Sequence, residues 1–251
     1  MDRAEFEALG AVEREHWFYR GKRDLVCYFI ERETNPTPND RILDAGAGTG
    51  ELVRELRRLF GSHGPEVIGI EYSTEARAYA HEANGLELTP GSILELPLAD
   101  NAVLVACALD VLEHVEDDAR GLSELVRVTK PGGIIIINVP AFKLLWSDWD
   151  VSLGHYRRYT LGMMRELLQP HLAQHSIEIV ELKYINSVAF PLILAYRMFR
   201  KVVPSKSRAE DKVPSPAINS ALYNLLVAPA KWRWFKAPFG VSVFAVLRKR
   251  V

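Results

Sequence analysis

Two stretches of this 251-residue sequence have the residue types and spacing to hold a nucleoside-like ligand. The first is Ile42-Leu43-Asp44-Ala45-Gly46-Ala47-Gly48-Thr49-Gly50, an apolar run and a carboxylate followed by three alternating glycines. Glycine lets the backbone turn sharply and lets a ligand approach closer than any Cβ permits. Asp44 can accept a hydrogen bond from an ammonium group. A G-x-G-x-x-G dinucleotide fingerprint needs glycine at position 51, where Glu51 stands instead. A carboxylate at a helix N-terminus also repels a pyrophosphate, so the loop suits a ligand without phosphates. The second stretch begins at Glu71, which ends the run Val67-Ile68-Gly69-Ile70 and can take both hydroxyls of a ribose. That acid alone would equally suit NAD. Farther on, Gly91-Ser92-Ile93-Leu94-Glu95-Leu96-Pro97 can lay Ile93 or Leu94 on an adenine face, with the Ser92 hydroxyl near its edge.

These residues need a parallel sheet to bring them together. From Arg41 onward, apolar runs alternate with helical patterns: Arg41–Ala45 then Glu51–Phe60, Glu66–Glu71 then Thr74–Ala83, Val103–Leu109 then Asp118–Val128, and finally Ile134–Val139. Strands separated by helices of this length imply right-handed crossovers. The unbroken run Ile134–Ile137 fits a strand buried on both faces, near the middle of the sheet. Before it, Glu5–Glu15 and Lys22–Glu31 read as helices flanking the aromatic segment His16–Gly21, and 35–40 is a turn-rich linker. After it, Ala141–Thr160 reads as irregular. Thr160 then caps a helix Leu161–Gln169, which Pro170 ends. Ser176–Asn186 and Gly240–Leu247 read as strands, and the insertion 187–239 between them as two apolar helices around a linker at Pro204–Pro216.

Together these stretches resemble the class I S-adenosylmethionine-dependent methyltransferases, of a bacterial small-molecule type. The likeness runs from Ile42 to Pro140 in the family's order. It comprises the glycine loop, the acid ending strand two, Gly91–Pro97, Leu109-Asp110-Val111-Leu112-Glu113-His114-Val115 after strand four, and Lys130-Pro131-Gly132-Gly133 before strand five. The resemblance implies an α/β, Rossmann-like fold: a mostly parallel seven-stranded sheet with its last strand antiparallel and helices on both faces. Residues 1–40 would form a helical lid, 41–140 the cofactor-binding core, and 141–251 the substrate-side elements with the helical insertion and the terminal strand. It further implies that Asp44, Gly46, Ala47, Gly48 and Gly50 surround the methionine part of the cofactor S-adenosyl-L-methionine, whose product is S-adenosyl-L-homocysteine. Glu71 would hold the ribose, Tyr72, Ser92 and Ile93 would border the adenine, and Asp110 would line the mouth of the methyl-transfer site. Ser92 stands where the family usually has an acid.

Methyl transfer is an in-line displacement that needs alignment and exclusion of water; a general base, where the acceptor requires one, contributes about 10²–10⁴-fold. His155 is the first candidate, followed by His114 and Tyr19. His114 would equally serve to pack the turn after strand four. Arg157 and Arg158 suit an acceptor carboxylate or phosphate, or else one pairs with Asp148 or Asp150; Tyr159 lies beside them. Trp17-Phe18-Tyr19 reads as a lid over the sulfonium or as plain helix packing, and Arg20 and Arg23 follow within reach of the cofactor's carboxylate. The rival readings are a cofactor-binding but catalytically silent domain and an NAD-dependent oxidoreductase.

Composition sets the bounds. Lys and Arg number 31 against 32 Asp and Glu, for a formal net charge of −1, yet the balance is uneven. Residues 187–251 hold 12 basic and 2 acidic residues, and Lys231-Trp232-Arg233-Trp234-Phe235-Lys236 interleaves aromatic with basic groups as interfacial segments do. An anionic or lipid-like small-molecule acceptor, or peripheral contact with an anionic membrane, follows from that tail; the alternative is that these helices only cover the sheet. Nucleic acid is not expected. Cys27 and Cys107 make neither a disulfide framework nor a metal cluster, so no metal is expected. With neither a secretory signal nor a spanning segment, the chain reads as cytoplasmic.

Overall fold

The computed structural model describes residues 3–174, 176–202 and 212–250. The chain opens with helix α1, Arg3–Glu13, and helix α2, Trp17–Glu33. Helix α2 starts five residues earlier than the pattern suggested. His16 is extended and its side chain accepts a hydrogen bond from the Phe18 backbone at 3.3 Å, so it satisfies one of the free amides of the first turn. The aromatic segment is therefore helical. At the far end the Thr34 hydroxyl donates to the Ile30 carbonyl at 2.6 Å.

Strand β1 (Arg41–Ala45), helix α3 (Glu51–Phe60), strand β2 (Glu66–Glu71), helix α4 (Thr74–Asn84), strand β3 (Thr89–Pro90), strand β4 (Val103–Leu109), helix α5 (Asp118–Val128) and strand β5 (Thr129–Pro140) follow. The short β3 was not foreseen. Beyond β5 lie the short helix α6 (Asp148–Ser152), helix α7 (Leu161–Ala173), strand β6 (Ile177–Ile185), helices α8 (Phe190–Val202) and α9 (Pro216–Lys231), and strand β7 (Ser242–Lys249). The sheet order is β3-β2-β1-β4-β5-β7-β6, with β7 antiparallel to both its neighbours. This is the expected mostly parallel, seven-stranded architecture. Of the linker Pro204–Pro216, residues 204–211 lie outside the described residues.

Two boundaries are corrected. Pro170 does not end α7: it sits inside the last turn, where its carbonyl still accepts from the Gln174 amide at 3.1 Å. A proline costs most where it removes an interior amide bond, and here few residues remain to be held. The segment 141–160 is also less irregular than expected, since it contains α6, whose Ser147 and Asp150 form a capping box.

Ile134, Ile135, Ile136 and Ile137 have no exposed surface, and alternation sends them to opposite layers. Ile135 and Ile137 pack with Leu122 and Leu125 of α5 and Met164 and Leu168 of α7. Ile134 and Ile136 pack with Phe29 and Ile30 of α2, Leu52 of α3 and Leu226 of α9. A Cβ on Gly21 would approach the Leu226 side chain to 2.9 Å, so that glycine lets α2 and α9 come close. The Asn219 side chain then bridges the corner, accepting from the Trp17 amide and donating to the Glu15 carbonyl, each at 2.9 Å. The insertion is thus clamped to the N-terminal helices, and together they overhang the carboxyl ends of β1, β2 and β4.

Candidate active site

Where β1 ends, the Gly46 and Ala47 amides donate to the Ile70 carbonyl at 2.8 and 3.0 Å, and the Gly48 amide donates to Glu71 Oε2 at 2.8 Å. Gly46, Gly48 and Gly50 all have positive φ. A Cβ on Gly48 would meet nothing within 4 Å, so its open side is a cradle that a ligand can fill. Glu51 begins α3 and is buried, yet Arg54 and Arg14 outweigh that burial and hold its carboxyl below the usual range. It is therefore engaged on the protein side of the loop.

Three acids converge beside this cradle. Asp44 is 3% exposed, and no hydrogen bond to its carboxylate forms among the described residues. Burial, with Glu13 and Glu71 nearby, pushes it up to about 8. Burial raises Glu13 as well, against a hydrogen bond from the Thr49 hydroxyl. Glu71 is oriented by its second backbone bond, from the Ser73 amide to Oε1 at 2.7 Å. Crowded carboxylates with unused lone pairs favour a cation; an ammonium or sulfonium group meets that need, and a ribose diol meets Glu71. The donor set and the Gly48 opening therefore fit S-adenosylmethionine.

One cavity of about 1080 Å³ runs from this cradle to the overhanging helices. Its far wall is apolar, with Phe6, Leu9, Phe18, Ile193 and Leu222 among its lining. Between the two ends sits the carboxyl end of β4. Asp110 has φ +54°, a conformation that asparagine and aspartate tolerate better than most residues. It is fixed by Asn138 Nδ2, which donates to Oδ1 at 2.7 Å, and by an ion pair with Lys22 of α2.

The next turn, Leu112–His114, carries Glu113 and His114 to the cavity wall. The His114 and His155 rings meet edge to face with centroids 4.5 Å apart. Burial, with His155 adding to it, depresses His114 to about 4. His155 Nδ1 lies 2.9 Å from Asp150 Oδ1. Asp150 is fully buried, and although burial alone would raise it, bonds from His155 and Arg158 hold its carboxyl well below the usual range.

The predicted residues divide accordingly. Asp44, Gly46, Ala47, Gly48, Glu71, Tyr72, Ser92, Ile93, Asp110, Trp17, Tyr19, His114, His155 and Arg158 all line the one cavity. Tyr72 stands at its rim, 79% exposed. Four residues are not in its lining. Arg20 faces outward, 3.8 Å from Asp24 and stacked over the Tyr223 ring; Arg23, named with it from the sequence, lines the cavity, as does Lys22. Arg157 pairs with Asp118 at 2.7 Å. Tyr159 is 1% exposed and donates its hydroxyl to the same Asp118 at 2.8 Å. Gly50 packs under Leu86 at the start of α3. Arg158 does line the cavity, but its guanidinium is spent on both oxygens of Asp150 at 2.7 and 3.0 Å and on the Ala141 carbonyl. Sequence reading missed Glu13, Lys22 and Glu113 as lining residues; only Glu113 had a signal, lying between two residues already singled out.

Comparison with known proteins agrees with the fold and with the cofactor. A family described as a methyltransferase domain matches residues 43–137. A protein of Mycolicibacterium smegmatis described as a probable S-adenosylmethionine-dependent methyltransferase is 29% identical over 166 residues, 64% of this chain and 60% of the relative. The chain covers 60%, 39% and 19% of the length of three curated relatives it matches. Among solved structures, a SAM-dependent methyltransferase of Thermotoga maritima aligns with TM-score 0.61 at 16% identity, over 99% of this chain and 95% of that one. The geranyl diphosphate C-methyltransferase of Streptomyces coelicolor, solved with Mg2+, geranyl diphosphate and S-adenosyl-L-homocysteine, aligns with TM-score 0.59 at 14% identity, over 92% and 79% of the two chains.

Proposed function

Because the chain carries a class I S-adenosylmethionine-dependent methyltransferase domain, we propose that it moves the cofactor's methyl group to a hydroxyl, amine or carbon of a small, lipid-like acceptor. The observation that carries this reading is the continuity of one cavity from Asp44 and Glu71 to an apolar wall of α1, α2, α8 and α9. When bound, the cofactor supplies an electrophilic sulfonium methyl group. Asp44 would accept from the ammonium, Glu71 would hold the ribose hydroxyls, and Ser92, Ile93 and Tyr72 would border the adenine; Arg23, whose guanidinium donates to the Glu13 and Arg14 carbonyls at 2.9 and 3.0 Å, would add positive charge at the carboxylate end. Trp17, Phe18 and Tyr19 exclude water, which strengthens every electrostatic contact inside.

Lys22 and Asn138 hold Asp110 at the junction of the two ends, so its carboxylate orients a polar group of the acceptor. His155 is the base where the acceptor needs one: its Nδ1 faces Asp150, so Nε2 is the atom that receives the proton. His114 and Tyr19 stand behind it. The acceptor's bulk lies against Phe18, Ile193 and Leu222. Arg157 is not assigned to the acceptor, because Asp118 occupies it.

We further propose peripheral membrane contact. Leu192 and Phe199 of α8 and Trp234 after α9 are 69%, 61% and 76% exposed, and Lys231, Arg233 and Lys236 flank the stacked Trp232 and Trp234. The side chains of Arg200 and Lys201, also part of the basic tail, lie outside the described residues. No helix among the described residues is long and apolar enough to cross a membrane.

Calorimetry tests the cofactor assignment. S-adenosylhomocysteine should bind and NAD should not, and Asp44→Ala or Glu71→Ala should weaken binding at least tenfold. Unchanged affinity in both variants overturns the site. Transfer of label from S-adenosylmethionine to lipid-like acceptors then tests the reaction, and binding without any transfer supports a silent domain instead.

A further inference from the structure

Glu113 poses a problem that the cofactor does not solve. It is fully buried, and neither carboxylate oxygen has a hydrogen-bond partner among the described residues. Burying a polar group without a partner costs roughly 1–3 kcal/mol, and more for a charged one, so an unpaired buried carboxylate facing a cavity calls for a missing partner. Two imidazoles stand close to it. Glu113, His114 and His155 each offer one ligand atom, and these atoms all lie within 4.8 Å of one another.

We propose that Glu113, His114 and His155 together bind a divalent first-row transition-metal cation at the wall of the cavity. Two imidazoles and a carboxylate are the ligand types that zinc, iron and cobalt favour. Metal–ligand bonds of roughly 2.0–2.2 Å put tetrahedral ligands about 3.4 Å apart, so closure from the present spacing needs only modest side-chain rotation. The backbone already holds the two segments together, the Tyr156 amide donating to the Glu113 carbonyl at 2.8 Å, while the His155 amide donates to the Asp150 carbonyl at 2.9 Å within its own segment.

The tautomer of His155 is fixed by its neighbour. Both oxygens of Asp150 accept from Arg158, so Asp150 is an ionised acceptor and Nδ1 of His155 must carry the proton. Its Nε2 lone pair is then free for an ion. A ligating histidine oriented by a carboxylate on its other nitrogen is the usual arrangement around bound metals. All three ligands border the cavity, which leaves the fourth position open to water or to an acceptor oxygen, as in catalytic rather than structural sites. With the ion in place, Nε2 is engaged, and activation of an acceptor hydroxyl passes from His155 to that open position.

The site is tested without cofactor or acceptor, so its failure is separate from that of the methyltransferase reading. The full chain, stripped with a chelator and titrated with Co2+, should develop visible d–d absorption that saturates at one ion per chain and is erased by Zn2+. His114→Ala and Glu113→Gln should each weaken Co2+ binding at least tenfold. Asp150→Asn should weaken it about 10–100-fold through orientation alone. Should Glu113→Gln or Asp150→Asn fail to fold, His114→Ala decides, with a thermal melt to confirm the fold. No saturable spectrum up to millimolar Co2+, or unchanged affinity in folded His114→Ala, overturns the proposal.

Discussion

Lys22, one turn into α2, forms an ion pair with Asp110 at the carboxyl end of β4, joining residues 88 apart in sequence. The two partners are unequally buried, with side chains 6% and 32% exposed. Lys22 also lies 4.4 Å from the centre of the Phe18 ring. The pair ties the N-terminal helices to the mouth of the site.

That inequality predicts an asymmetric response. Asp110→Asn keeps a residue suited to φ +54° and can still bond Asn138, but it strands the Lys22 ammonium. Breaking a buried pair from one side costs about 3–5 kcal/mol, and this variant should approach the lower figure in urea unfolding. Lys22→Met leaves a carboxylate that retains Asn138 and some solvent, so it should cost less. Equal losses in the two variants would refute the assigned burial roles.

Asp44 predicts a pH dependence with a definite sign. Its carboxyl in the folded chain, at about 8, lies above the ordinary value near 4, so the folded chain keeps a proton that the unfolded chain has released. Its contribution to stability is therefore present below about pH 4 and declines as the pH rises to about 8, after which it is flat. An ammonium ligand needs the ionised form and expels that proton. Affinity for S-adenosylhomocysteine should therefore rise between pH 6 and 8, by at most about tenfold per unit, and then level off. Asp44→Asn should abolish the slope, and a flat profile in the parent chain would contradict the raised value.

Much of this site was legible because its positions are set by local chemistry. The glycines and Asp44 follow directly on an apolar strand, and strand ends at a parallel sheet are where ligands bind. What escaped depends on phase or on tertiary approach. Of the pair Arg20 and Arg23, Arg23 reaches the cavity; Lys22, two residues and about 200° around the helix from Arg20, escaped because the phase of α2 depends on His16 acting as the cap. Arg157 and Arg158 alternate in extended chain, so one meets Asp118 and the other Asp150. Glu13 joins the acids only because α1 folds back over the glycine loop, which no spacing records.

Gly48 tests the cradle directly. A Cβ there meets no protein atom within 4 Å, so the cost to folding should be limited to the strain of φ +55°, roughly 1–2 kcal/mol. The cofactor, by contrast, would meet the new methyl group. S-adenosylhomocysteine affinity should drop at least tenfold while the chain stays folded by circular dichroism; undiminished affinity would move the ligand away from the loop.

The basic, aromatic end of α9 offers the last prediction. Trp234 is 76% exposed and stacks on Trp232 with centroids 5.2 Å apart, with Lys231, Arg233 and Lys236 interleaved. A lone exposed tryptophan is unremarkable in a folded chain, but a stacked pair among three cations matches the chemistry of an anionic interface, where each basic residue adds about 1 kcal/mol. The chain should co-sediment with phosphatidylglycerol vesicles at low salt and not with neutral ones. Replacing Arg233 and Lys236 by glutamate should weaken that binding by about 25-fold or more, the equivalent of roughly 2 kcal/mol, and Trp234→Ala should weaken it independently of salt. If the parent chain stays in the supernatant with anionic vesicles at low salt, these residues serve only to cover the sheet and close the cavity.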